Sequence, residues 1–359
     1  MNIPVERLNN GKPIIAPQGD GWESQGTANS CALLLARRPS IDRVLEPILG
    51  SSAMKDSRLR DGVVVSLYTG CGIFAGDTVG TQSRGLAVFT PAMELVKRLE
   101  KPVFCPSRER GRIDALGIED ARLTMVSDTF HIWYCGYDGK DGAACVAHSR
   151  DLLNWHRVAP LPGNINDTYN KDHVIIERKI AGKWWMFHRP WGPKFPDMRD
   201  MVIRLASADD VLGPWTDCGE IIRGFQHPGR KTMWVGAGPA PMPLGGDRFL
   251  LLYHTGSYFQ DGHRQYDACA AILDFSRFAP EHPGAIVTRR LEPIMTPETE
   301  WEKNPKLKLD IVFPMGAYRH GKYLMMVYGA GDVYTCAARM PFDALLEAVE
   351  RSDLSNPYL

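Results

Sequence analysis

One phrase recurs five times along this chain. A tight turn leads into a short apolar run, which ends on an aromatic or histidine beside small or polar residues. The turns are Asp61-Gly62, Ser127-Asp128, Ala181-Gly182, Gly246-Asp247 and His320-Gly321, and the runs end at Tyr68, Tyr134, His188, Tyr253 and Tyr328. Strand-length, β-rich runs behind such turns read as the second arms of hairpins. Each first arm lies just upstream, at 29–35, 119–126, 171–177, 236–244 and 310–318, with a small, polar or charged start and an apolar body. A third strand follows at 85–89, 146–149, 204–207, 266–274 and 334–339.

Five antiparallel units at a spacing of roughly 55–75 residues, each too small to bury its own faces, predict radial stacking. The expected fold is all-β: a single five-bladed β-propeller domain over residues 1–359. A short C-terminal helix is expected at 341–351, because Phe342, Leu345, Leu346 and Val349 share one helical face. Thr90-Pro91 reads as the cap and first turn of a second short helix over 92–99. The stretches 37–57 and 190–200 read as long loops shaping a rim.

Composition narrows the function. The chain is 44% hydrophobic and 23% charged, with 42 basic and 42 acidic residues, so a core is available and no polyanion such as nucleic acid is an expected partner. The first residues lack a signal peptide's apolar segment, and no apolar run is long enough for a membrane helix. Eight scattered cysteines without a Cys-x-x-Cys pair read as reduced thiols, and no histidine spacing suggests a metal site, so a cytoplasmic protein is expected.

In a propeller the innermost strands line a central channel and their starts meet at one mouth. That brings Asn29, Glu119, Asp120, Lys171, Asp172, the turn at 236–239 and Asp310 to one funnel, where opposed charges in a concave site can do acid–base work.

These residues fall in motifs that resemble glycoside hydrolase family 130. The motifs are Gly117-Ile118-Glu119-Asp120-Ala121-Arg122, Asn170-Lys171-Asp172, His188-Arg189-Pro190, Gly236-Ala237-Gly238-Pro239, Tyr253-His254, Trp301-Glu302-Lys303, Val312-Phe313-Pro314 and Tyr328-Gly329-Ala330-Gly331-Asp332. The resemblance implies a five-bladed propeller acting on β-mannosides with inversion, by phosphate or by water, without a cofactor; inorganic phosphate is the co-substrate of the phosphorylases. It implies that Asp120 is the general acid, acting through a sugar hydroxyl. It also implies that Asn29, His254 and Asp332 hold sugar, with Glu119 and Arg122 holding sugar or bracing the acid. Lys171, Arg189 and Tyr266, with His188 beside them, fall where phosphorylases cradle phosphate. An oligosaccharide or mannoside is the expected partner, and a homo-oligomer stays open.

The departures from the family bear on the nucleophile. Thr69 stands where phosphorylases carry an arginine, Trp234-Val235 where they carry a lysine, and Asp172 where a neutral amide is usual. A carboxylate there repels phosphate, while hydrolysis with inversion needs a base roughly 6.5–9.5 Å from the acid. Asp172 and Asp267 are the candidate bases, with Asp310 behind them. The balance of charge favours hydrolysis slightly over phosphorolysis. Two other readings stand beside it. One is a non-catalytic sugar-binding propeller. The other is an arabinoside, xyloside or fructoside hydrolase, against which Asn29 counts, because those enzymes usually place an acid at the first inner strand.

Overall fold

The computed structural model describes residues 3–73, 80–195, 197–225 and 229–354, with the side chains of 231 and 232 left aside. Strands take up 50% of the chain, so the fold is mostly β, with two α-helices among the described residues.

Among the described residues, twenty strands pair as five antiparallel sets of four. The first is Cys31–Leu35, Val63–Gly72, Thr81–Phe89 and Leu95–Arg98. The second is Gly117–Val126, Thr129–Tyr137, Gly142–Ser149 and His156–Val158. The third is Tyr169–Ile175, Trp184–Trp191, Ile203–Ala208 and Thr216–Ile222. The fourth is Arg230–Ala237, Arg248–Phe259, Arg264–Asp274 and Val287–Met295. The fifth is Leu309–His320, Tyr323–Ala330, Tyr334–Pro341 and, from the other end of the chain, Glu6–Arg7.

The apolar clusters lie between sets. Val65 and Leu86 meet Leu123 and Ile132; Trp133 and Val146 meet Ile175 and Met186; Phe187 and Leu205 meet Val235 and Leu251. Leu252 and Ala270 then meet Val312 and Met326, and Val327 and Ala337 return to Val64 and Phe89. Each set thus buries one face against the set before it and the other against the set after it, and the fifth meets the first. That is how sheets too small to bury themselves find a core.

The aromatic or histidine that ends each repeated phrase has one role five times over. It faces a carboxylate that an arginine also holds. Tyr68 donates to Glu23 at 2.7 Å, which accepts from Arg98 at 2.7 Å. Tyr134 donates to Asp114 at 3.0 Å, which accepts from Arg157 at 2.8 Å. Tyr253 donates to Glu292, held by Arg290. Tyr328 donates to Glu302 at 2.8 Å, held by Arg7 at 2.8 Å. In the third set His188 takes the tyrosine's place, 3.4 Å from Asp217, which Arg204 holds at 2.8 Å. A buried carboxylate is tolerable only when paired and hydrogen-bonded, so each clasp fixes its own geometry.

Three local expectations are corrected. Residues 39–49 form an α-helix, Pro39–Leu49, and not a loop. Ile41, Leu45 and Ile48 recur at helical spacing and are buried against the first two sets, and Pro39 opens the helix where its missing N–H costs nothing. Conversely, 92–99 holds no helix: the Thr90 hydroxyl accepts from the Glu94 N–H at 3.1 Å and closes a turn, after which Leu95–Arg98 pairs as an edge strand. In the fourth set the inner strand is Arg230–Ala237, upstream of the 236–244 stretch, and Met242–Gly245 is a separate short strand. The terminal helix is Phe342–Glu350; Phe342, Leu345 and Val349 are buried as the spacing predicts, Ala348 is buried with them, and Leu346 is only partly buried.

All eight cysteines are free. Among the described residues no helix is long and apolar enough to cross a membrane.

Candidate active site

The inner strands of the second and third sets share one irregularity. Pairing steps from Glu119↔Cys135 to Arg122↔Trp133, and from Lys171↔Arg189 to Val174↔Phe187, so each strand carries one extra residue. Such a bulge breaks the in–out alternation and re-aims side chains. Asp120 and Asp172 sit in these bulges at φ 45° and 55°, with Asn29 at 49° and Asp332 at 62°. Asn and Asp are the side-chain-bearing residues that best tolerate this left-handed region.

The result is a cavity of about 290 Å³. Acids and amides form one part of its wall: Asn29, Gln82, Glu119, Asp120 and Asp332. Lys171, Arg189, Arg264 and Tyr266 form another. Asp120 is fully engaged: one carboxylate oxygen accepts from the Asn29 amide at 2.8 Å and the other lies 3.2 Å from the Lys171 ammonium. Glu119 accepts from Gln82 at 2.8 Å.

Behind the wall, Asp172 is fully buried and doubly paired, 2.6 Å from Arg189 and 3.2 Å from Arg122. Arg122 also donates to the carbonyls of Asp120, Ala237 and Gly238, tying three strands together. Gly236 makes this approach possible, since a Cβ there would stand 2.2 Å from the Asp172 carboxylate. His254 is buried 3.7 Å from Asp172, packed on Phe313.

The cavity wall therefore brings together seven of the residues singled out in the sequence: Asn29, Glu119, Asp120, Lys171, Arg189, Tyr266 and Asp332. Six others stand off it. Arg122, Asp172 and His254 form the layer behind. His188 belongs to the third set's clasp. Asp267 is buried and held by Arg230 at 2.9 Å and Gln265 at 2.7 Å. Asp310 pairs with His263 at 3.2 Å. Trp234 is buried against Tyr258 and Tyr266, a packing contact.

Besides Gln82, two residues escaped the sequence reading. Arg264 lines the cavity, and its place two residues before Tyr266 on one strand was the available signal. Arg84 is cross-strand partner to Thr69 and donates to its hydroxyl and to the Ile118 carbonyl. Its guanidinium thus stands beside position 69 from the neighbouring strand, but it is fully buried and off the cavity wall. The Lys231 side chain lies outside the described residues.

Electrostatics separate the acids. Burial pushes Glu119 and Asp332 up, with Asp120's charge adding to both. Burial acts on Asp120 in the same direction, but Lys171, Arg122 and Arg84 outweigh it, so Asp120 is a carboxylate in the ligand-free site. Asp172 is likewise held far below the usual range against its burial, first by Arg189 and then by Arg122.

Buried histidines give a stability prediction. Burial lowers His254 to about 3 and His173 and His131 to about 4. Unfolding lets each take up a proton below about pH 6.5. Their contribution is therefore full above that pH and is lost as pH falls toward the folded values, at about 1.4 kcal/mol per pH unit for each group. The urea midpoint should hold steady above about pH 6.5 and fall steeply below it; a midpoint flat between about pH 7 and 5 would contradict this.

The chain is similar to several known proteins. The family model for glycoside hydrolase family 130, described as beta-1,4-mannooligosaccharide phosphorylase, matches residues 85–351. The chain is 30% identical over 238 residues to a 1,2-beta-oligomannan phosphorylase from Thermoanaerobacter sp. strain X514, covering 66% of this chain and 71% of the relative. It is 30% identical over 253 residues to a beta-1,2-mannobiose phosphorylase from Listeria innocua serovar 6a, covering 70% and 64%. The solved structure of beta-1,2-mannobiose phosphorylase from Listeria innocua with beta-1,2-mannobiose superposes with a TM-score of 0.69 at 20% identity, covering 97% of this chain and 99% of that one.

Proposed function

This chain belongs to glycoside hydrolase family 130, and from that premise we propose that it cleaves β-1,2-mannosides with inorganic phosphate, releasing α-mannose 1-phosphate. The observation that carries the reading is the trio of cations, Lys171, Arg189 and Arg264, converging on the cavity that holds Asp120. A phosphate nucleophile is already anionic and needs a positive pocket, not a base. The names of the relatives point the same way.

The expectation of hydrolysis gives way for a physical reason. In the sequence alone, Asp172 reads as a bare charge that repels phosphate and as a base for water. Shared between two arginines, it is a structural counter-ion: it neutralises the layer behind the wall and aims Arg189. Asp267, likewise clasped by Arg230, is off the cavity wall.

The reaction is a single displacement. A phosphate oxygen attacks the anomeric carbon on the face opposite the leaving group, the glycosidic C–O bond breaks, and the configuration inverts. The leaving oxygen receives a proton originating on Asp120, relayed by a sugar hydroxyl. Asp120 must first gain that proton. A phosphate dianion seated by Lys171 competes for its ammonium and places negative charge beside Asp120, and both effects raise the proton affinity of Asp120. Asn29, Glu119 and Asp332 are left to hold sugar hydroxyls.

We read the five strand sets as blades of one propeller domain around this cavity. The cyclic succession of apolar clusters supports it, since each set is packed between two others and the fifth closes on the first.

The test is product analysis of β-1,2- and β-1,4-mannobiose with and without phosphate. The expected outcome is α-mannose 1-phosphate from the β-1,2 substrate, with turnover that vanishes when phosphate is removed. Free mannose from both halves in phosphate-free buffer would establish hydrolysis instead.

A further inference from the structure

Resting on the phosphorolytic reading, we propose that Arg264 is the cation that meets the incoming phosphate, in place of the two cations the sequence lacks at positions 69 and 235. Lys171 and Arg189 already face carboxylates, at 3.2 Å from Asp120 and 2.6 Å from Asp172. Arg264 makes no ion pair within 4.0 Å among the described residues, and Asp332, the cavity acid whose charge it stabilises, is not in contact with it. Its guanidinium lies 5.7 Å from the centre of the Tyr266 ring, and both residues line the cavity.

The backbone of Arg264 is fixed. Its N–H donates to the Lys308 carbonyl at 2.9 Å, and the residue pairs in parallel with Leu309, so it sits where the fourth set is tied to the fifth. A guanidinium resting on an aromatic face keeps its N–H fork free in its own plane, and that fork matches two phosphate oxygens at once. A cation turned into a partly buried cavity, hydrogen-bonded to no carboxylate and only sensing the charge of Asp332 across it, keeps its donors for a ligand. With Arg189 and Lys171 committed to positioning, Arg264 supplies the excess positive charge that attracts a dianion.

Initial rates against inorganic phosphate and against β-1,2-mannobiose, for the wild type, Arg264→Met and Arg264→Lys, test this. Arg264→Met keeps the apolar stem over Tyr266 and loses the charge. The KM for phosphate should rise about ten- to hundredfold, the size of a lost charge-assisted hydrogen bond. The KM for mannobiose should stay within about twofold, and Arg264→Lys should recover part of the loss. Calorimetric titration with phosphate alone should show the same loss of affinity. An unchanged phosphate KM in Arg264→Met, or a rise in the mannobiose KM instead, would overturn the assignment and make Arg264 a sugar contact. A wild type that turns over at full rate without phosphate would remove the phosphorolytic reading and the assignment with it, whereas a phosphate-dependent wild type with an indifferent Arg264→Met would remove only the assignment.

Discussion

Asp120→Asn should lower kcat by about 10²–10⁴-fold, the usual worth of a positioned general acid, while mannoside and phosphate still bind. Asparagine keeps the left-handed backbone at this bulge, and its side-chain oxygen still accepts from Asn29. What it lacks is the proton for the leaving group and the charge that holds Lys171. Freed from its 3.2 Å contact, Lys171 should turn to phosphate, so phosphate affinity should rise, if anything, as kcat collapses. Steady-state rates with a calorimetric titration of phosphate separate the two effects. A variant retaining more than about a tenth of wild-type kcat would show that another group donates the proton.

Asp172→Asn should be costly in a different way. It removes one carboxylate from between two buried arginines, leaving Arg122 and Arg189 with positive charge and no counter-ion. Breaking a buried pair on one side destabilises by about 3–5 kcal/mol, read as a lower urea midpoint. Arg189 loses the contact that aims it into the cavity, so phosphate KM should rise in the same variant. The sequence-level argument predicts the reverse, since an amide removes a negative charge from near the nucleophile. A stable Asp172→Asn with tighter phosphate would restore the picture of Asp172 as an unpaired repulsive charge.

The contrast between these two aspartates marks what the sequence could and could not disclose. The repeated phrase was legible because it is local: a turn, an alternating run and a terminal aromatic lie within a dozen or so residues. The inner acids were legible for the same reason, as charged starts to apolar strands. The pairing of those acids was not. Arg122 reaches Asp172 across 50 residues and Gly238 across 116, and Arg84 reaches Thr69 from the adjacent strand. A missing cation counted by position in the chain can be present in space, and a carboxylate counted as free can be neutralised. The helix Pro39–Leu49 lies in a stretch that reads as a loop, and it carries two prolines, Pro39 and Pro47. In a short helix, a proline in the first turn is compatible, and the apolar spacing outweighs a second near the end.

The left-handed backbone at Asn29, Asp120, Asp172 and Asp332 also limits which residues these positions can ever hold. Most side chains adopt that conformation only at a cost of roughly 1–2 kcal/mol, with glycine, asparagine and aspartate spared the most. At these four positions, three on the cavity wall and one directly behind it, the chain's shape reduces the accessible alphabet to an acid, its amide, or nothing. Drift there runs chiefly along one axis, the exchange of a carboxylate for a carboxamide, and each such step alters charge while leaving the architecture as it was. A protein built this way can retune which anion it tolerates and which group carries the proton by changing a single atom in a side chain, without refolding anything around it.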